Sequence, residues 1–293
     1  MCLKRAKIGM IIADLILITI SLAALIFATV TDIKIKEVPD WLSYALMISG
    51  LSIRLMQGVL FNKYSYFLYG IIGLLSMLII GNILYHTKQW GGGDAKLLMG
   101  IGATLATTPF YLEKSSIPFL GVVFILIMLS GAFYGIIWSL FLIHKDTKKF
   151  KEEFKKINKM HYIKLLKIVS FIIICLFITI LFFVPSTIKP IIISLLLIII
   201  CYPYIFIAIK SVESLYLYTF FSVDKLMEGD WIVNDIKRNN KIIFYKKAAI
   251  TNRDIEKLKE LNIKKVLIKD GIPFVPSFLI GTVLALIIGN PLA

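Results

Sequence analysis

The chain has 293 residues, 58% of them hydrophobic and only 17% charged, with a mean hydropathy of +0.85. A water-soluble domain of this size has too little interior to hide so much apolar side chain, so a bilayer must serve as its solvent. The formal net charge of +15 is then read as membrane topology rather than as a nucleic-acid footprint, and no nucleic-acid partner is expected.

In chain order, apolar runs long enough to cross a bilayer fall at about 8–31, 41–60, 66–86, 95–112, 117–143, 167–184, 190–209 and 273–291. Lys4, Arg5 and Lys7 precede the first run, as basic residues precede a secretory signal. That run is too long for a signal peptide and has no small-residue cleavage site after it, so it reads as the first transmembrane helix. The fourth and last runs are the weakest, since Pro or several Gly interrupt them. All are continuous rather than alternating, and a segment in lipid must close its own backbone hydrogen bonds, so helices are the expected form. The expected fold is an all-α polytopic membrane protein with six to eight transmembrane helices and a small cytoplasmic α/β insertion before the last helix. Its parts are a membrane domain over 1–209, the insertion over 210–272 and a C-terminal transmembrane helix over 273–293.

The connections between spans set the orientation. Placing 33–40 in the cytoplasm also places 87–96, 144–167 and 210–271 there, and with them most of the 33 Lys and Arg. Only the cluster at Lys4, Arg5 and Lys7 runs against this bias. Segment 144–167, "HKDTKKFKEEFKKINKMHYIKLLK", sets Phe150, Phe154, Ile157, Tyr162 and Leu165 among lysines. It reads either as a basic amphipathic helix lying on anionic headgroups, which makes membrane lipids a partner, or as a solvated extension between spans. Within the insertion, "EGDWIVNDI", "KIIFYKK" and "KKVLIKDG" read as strands. Between the last two, Thr251 is a candidate N-cap for a helix with Ile255, Leu258 and Leu261 on one face.

Four ionisable residues lie within or at the ends of spans: Asp14, Asp32, Arg54 and Asp94. A packing or interfacial hydrogen bond suffices to explain Asp14, and Arg54 is expected to snorkel to the membrane edge. Asp32 closes the first span in "TDIKIKEVPDW", where it could simply pair with Lys34 or Lys36. Pro39, at the entry of the second span, makes the loop after Asp32 short and constrained. "QWGGGDAKLL" is more specific. Glycines 91–93 allow close backbone approach and positive φ, and Asp94 then opens an apolar helix whose N-terminal dipole favours an anion. Gly100 and Gly102 permit neighbouring helices to pack closely. A phosphate-binding loop would need a Gly-Lys-Ser/Thr ending, which is absent.

Two crossings separate Asp32 from Asp94, so both belong to one membrane face, the cytoplasmic one in this orientation. Like charges a few ångströms apart cannot both ionise, so such a pair holds one proton between them. The ionised carboxylate can activate water for attack on a peptide carbonyl, while the protonated one polarises that carbonyl and later protonates the leaving amine. This chemistry calls for no metal and no cofactor. His86, His144 and His161 are scattered without a zinc motif, and Cys2, Cys175 and Cys201 form no CxxC pair and read as packing residues.

These residues resemble the prepilin peptidase family of membrane aspartic proteases, particularly its archaeal preflagellin and prepilin peptidases. "DIKIKEVPD" is similar to the family's first aspartate and Pro-containing turn, and "GGGDAKL" to its GxGD motif. "GIPFVPSFLIG" looks like its C-terminal span. The resemblance implies an aspartic endopeptidase with Asp32 and Asp94 as the catalytic pair and Gly91, Gly93, Lys96 and Pro39 as motif residues. It also implies pilin-like or archaellin precursors as partners, cut beside their basic leaders at the cytoplasmic face of the cell membrane. Glu37 and Asp40, beside Asp32, are candidates for attracting a lysine-rich leader. Without paired CxxC motifs, the N-methylation carried out by some bacterial members is not expected. Two other readings remain: a presenilin-like intramembrane protease sharing the GxGD logic, and a transporter whose buried aspartates bind a cation. "IPFVP" in place of a PAL motif weighs against the first, and the scarcity of polar residues in the spans against the second.

Overall fold

The computed structural model describes residues 2–87, 89–112, 117–226, 228–238, 241–247, 250–269 and 271–289, and at 2–7, 238 and 241 the backbone alone. The side chains of Cys2, Lys4, Arg5 and Lys7, with the roles expected of them, lie outside the described set. The chain is a polytopic, mainly helical membrane protein. It divides into two compact units, residues 1–135 with 271–293, and residues 136–270.

The first unit contains α1 (Cys2–Ile35), α2 (Asp40–Phe61), α3 (Ser65–His86), α4 (Gly92–Thr104), the first part of α5 (Phe119–Lys145) and, after the second unit, α10 (Val275–Ile288). The second contains the rest of α5, α6 (Thr147–Asn158), α7 (His161–Phe183) and α8 (Lys189–Val212). There follow a π turn (Glu213–Leu217), β1 (Tyr218–Ser222), β2 (Ile236–Arg238), β3 (Lys241–Phe244), α9 (Asn252–Glu260) and β4 (Lys265–Lys269). Among the described residues, six helices are long and apolar enough to cross a membrane: α1, α2, α3, α5, α7 and α8. The two weakest runs became the two short helices. α4 and α10 have 13 and 14 residues, about 20 Å each, against a hydrocarbon core of about 30 Å.

A helix that short ends inside the bundle, and its last carbonyls must find donors there. Thr104 and Leu105, at the end of α4, are 1% and 2% exposed. Arg54 of α2 meets the need. Its Nε donates to the Ala103 carbonyl at 2.8 Å and its Nη2 to the Thr104 carbonyl at 2.6 Å, while Nη1 and Nη2 both reach Thr107 Oγ1 at 3.3 Å. Asp14 lies within electrostatic range as a counter-charge, and Ser21 of α1 donates to Thr104 Oγ1 at 2.8 Å. Arg54 therefore does not snorkel. It is 1% exposed and caps a neighbouring helix from within.

The sides of α4 are equally close-fitting. A Cβ on Gly73 of α3 would stand 2.2 Å from the Gly102 carbonyl oxygen, and one on Gly102 would stand 2.4 Å from that of Gly73. The two backbones touch where any side chain would hold them apart. Around this contact the core collects Leu46, Met77, Leu97, Leu98, Ile101, Val123, Ile127 and Phe278.

In the second unit, the expected single helix over 144–167 is broken at Lys159 and Met160, between α6 and α7. The apolar side of α6 packs on protein: Ile157 is buried with Ile163 and Ile207, and Phe154 lies against them. Its lysines point outward. The insertion has its own core of Val223, Leu226, Ile232, Phe244, Ile250, Ile255, Leu258, Val266 and Ile268. Strand β4 pairs antiparallel with β1, and β2 with β3. Segment "EGDWIVNDI" contributes β2 only at its end, although Ile232 bridges to both Lys247 and Ile268. Thr251 is the N-cap of α9, in a reciprocal box with Asp254, whose Oδ2 takes the Thr251 N–H at 2.8 Å.

Two outcomes follow for stability. Arg54→Met orphans the carbonyls at the end of α4 and strips Asp14 of its counter-charge, and is expected to destabilise by about 3–5 kcal/mol, read as a lower thermal midpoint in detergent. Lys247 and the Thr251 cap together hold the Asp254 carboxyl at about 2, below its usual 3.8. A depressed carboxylate stabilises the fold fully above its unfolded pKa, and that contribution is lost as pH falls through the folded value. Hydrogen exchange over 252–260, corrected for intrinsic rates, should therefore loosen between about pH 4 and pH 2, and Asp254→Asn should abolish that step.

Candidate active site

Asp32 sits in the last turn of α1. The helix ends at Lys36, which takes the left-handed conformation (φ 56°) and donates its N–H to the Asp32 carbonyl at 2.8 Å. Pro39 follows in extended geometry (φ −60°, ψ 129°) as the N-cap of α2, with Asp40 in its first turn. Residues 36–39 therefore form a tight, fully specified link, as the proline suggested.

The Asp32 side chain is 6% exposed. Its Oδ2 accepts the Val275 N–H at 2.9 Å, from the first turn of α10, and the Phe274 N–H points to the same carboxylate. The "IPFVP" segment thus supplies the free N–H groups of a helix start, one of them at the N-cap, to a carboxylate 243 residues earlier. Phe274 is set in place by α5, where a Cβ on Gly131 would lie 2.4 Å from its ring. Three residues further along α5, Tyr134 comes within electrostatic range of Asp32.

Asp94 is the third residue of α4. Its Oδ2 accepts the N–H of Gly91, the N-cap, at 3.1 Å. Glycines 91–93 do not use positive φ, which among the described glycines belongs to Gly229 and Gly289. The reason for glycine is space. A Cβ on Gly93 would stand 3.1 Å from the Val38 Cβ and 3.5 Å from its backbone N and O. The turn before Asp94 is thereby pressed against the link that follows Asp32. The two carboxylates lie at one end of the first unit, within electrostatic range of each other.

The remaining motif residues fall around this contact. Lys96 Nζ bonds both carboxylate oxygens of Asp40, at 2.7 and 2.6 Å, and stands over the Tyr44 ring at 5.7 Å. Asp40, expected beside the leader, thus already carries a matched charge, and Glu37 lies in the link before it. Trp90 is buried against Phe124, Phe274 and Phe278, joining the glycine turn to the start of α10. Among the described residues, no cluster of three or more His, Cys, Asp or Glu side chains has the geometry to hold a metal. Sequence reasoning missed the α10 N–H groups, Arg54 and Tyr134. Only the resemblance of "GIPFVPSFLIG" pointed toward the first, and nothing local marks the other two.

A pair of carboxylates thus lies at one end of a glycine-packed membrane bundle. Residues 19–140 match the type IV leader peptidase family. The prepilin peptidase EppA of Methanothermobacter thermautotrophicus is 28% identical over 115 residues, 39% of this chain and 29% of that protein. The preflagellin peptidase of Methanococcus voltae is 26% identical over 144 residues, 45% and 61% of the two chains. That of Methanococcus maripaludis is 30% identical over 79 residues, 27% and 34%. The matched part spans less than two thirds of each relative.

Gly93→Leu would drive a side chain into Val38 and push the glycine turn away from the link after Asp32. Its expected signature is a loss of about 1–3 kcal/mol, seen as a lower thermal midpoint, with Gly93→Ala much milder.

Proposed function

We propose that this chain is a membrane-embedded aspartic endopeptidase that removes short basic leader peptides from type IV pilin-like or archaellin precursors. The observation that carries this reading is the placing of Asp32 and Asp94 within electrostatic range of each other, each bonded by backbone N–H, inside the region that matches the leader peptidase family. The names of the relatives, prepilin and preflagellin peptidase, support the substrate class. The bias of Lys and Arg toward the loops on the Asp32 side supports a site at the cytoplasmic face.

The pair works with one shared proton. The ionised member takes a proton from water as that water attacks the scissile carbonyl, and the protonated member donates a hydrogen bond to the carbonyl oxygen. When the tetrahedral intermediate collapses, the protonated member gives its proton to the leaving amine while the first carboxyl keeps the one taken from water, so the pair again holds a single proton. Which aspartate starts as the acid is a property of the pair rather than of either residue. Backbone N–H groups on both carboxylates fix their orientation without adding a competing side chain. Glu37 gives the approach some acidic character for a lysine-rich leader, while Lys96 already neutralises Asp40.

The test is co-expression with a type IV prepilin in a host lacking its own leader peptidase. Asp32→Asn and Asp94→Asn should each reduce processing to background, a loss on the order of 10⁴-fold, with membrane levels unchanged. Efficient cleavage by either variant would remove the pair from the mechanism. A cation flux lost in both variants, with no proteolysis by the parent protein, would assign the carboxylates to transport instead.

A further inference from the structure

Lys96 and Asp40 lie outside the reacting pair, yet they sit on the two segments that bring it together. Lys96 is two residues past Asp94, in the first turns of α4, and Asp40 opens α2 directly after the link from Asp32. The ammonium is bonded to both Asp40 oxygens at 2.6–2.7 Å and rests on the Tyr44 ring, one turn along α2. A second contact, Gly93 on Val38, joins the same two segments two residues earlier on the 38–40 side and three earlier on the 93–96 side. Two contacts in register fix both the separation and the rotation of one segment against the other. A single contact would leave a hinge.

We propose that the Lys96–Asp40 ion pair is a positioning device for the carboxylate pair: it locks the first turn of α4, and with it Asp94, against the link that carries Asp32. Neither residue touches the reacting atoms in this role. The side chains are 34% and 57% exposed, so the pair adds little to global stability. Its effect falls on rate, because a displacement of about 1 Å between catalytic groups can lower turnover about 100-fold. The charge of Asp40 serves the enzyme internally and does not bind the leader. The inference rests on the endopeptidase reading for its kinetic arm and stands free of it for its structural arm.

For the kinetic arm, Lys96→Met, Asp40→Asn, their combination and Lys96→Arg are compared by cleavage of a purified prepilin in proteoliposomes. Each single variant should lose at least about tenfold in kcat with KM within about twofold of the parent. The combination should lose no more than either alone, since each already breaks the same link. Lys96→Arg, which can still reach both oxygens, should recover most of the rate. For the structural arm, Asp32→Cys and Asp94→Cys are combined in full-length protein with Cys2, Cys175 and Cys201 replaced by Ser. Disulfide formation between them should fall at least about threefold on adding Lys96→Met, but not on adding Lys96→Arg. Near-parental rates, additive losses, a rise in KM alone or unchanged cross-linking would each overturn the proposal. So would a fall in thermal midpoint large enough to account for the lost activity, which would make the pair a general stabiliser. If the parent protein cleaves no prepilin, the endopeptidase reading fails while the cross-linking result still decides the clamp.

Discussion

The structure of the first unit turns on a helix that is too short for its membrane. α4 begins at the edge with Asp94 and stops well inside the bundle, where its last carbonyls have no water to turn to. Arg54 answers that need from the neighbouring helix, bringing a full positive charge to the negative end of the α4 dipole. Once the far end is capped, the axial position of α4 is set, and the Gly73–Gly102 backbone contact fixes its distance from α3. The place of Asp94 follows from these constraints before any chemistry is considered.

Asp32 is held by a different route to a similar end. Asp94 bonds to the N-cap of its own helix, and Asp32 to the opening turn of α10. Two helix N-termini therefore converge on two carboxylates, and their positive ends partly offset the repulsion between the acids. Lys96, two residues past Asp94, is directed at Asp40.

Much of this was legible in the sequence, for local reasons. Hydropathy located the spans, because a long apolar run in lipid has only one economical backbone form. The run "WGGGD" marked Asp94, although Gly93 serves close approach to Val38 and none of the three glycines takes left-handed φ. Thr251 announced α9 as its N-cap, and the structure adds Asp254 as its reciprocal partner. What escaped was non-local. Arg54 looked like a snorkelling side chain because its acceptors lie some 50 positions away. The donors to Asp32 lie still further off. Strand β1 was hidden because it continues directly from an apolar helix through a π turn, without the polar break that announces a strand.

The dependence of Asp32 on α10 also orders events in time. The first unit is discontinuous, with the whole of residues 136–270 lying between its last large helix and α10. During synthesis, α1 to α4 can enter the bilayer and pack while Asp32 still lacks the N–H groups of Phe274 and Val275. The carboxylate pair becomes complete only after the second unit has been made and α10 inserted. The hydrogen bonds that hold Asp32 can therefore form only after residues 136–270 have been made.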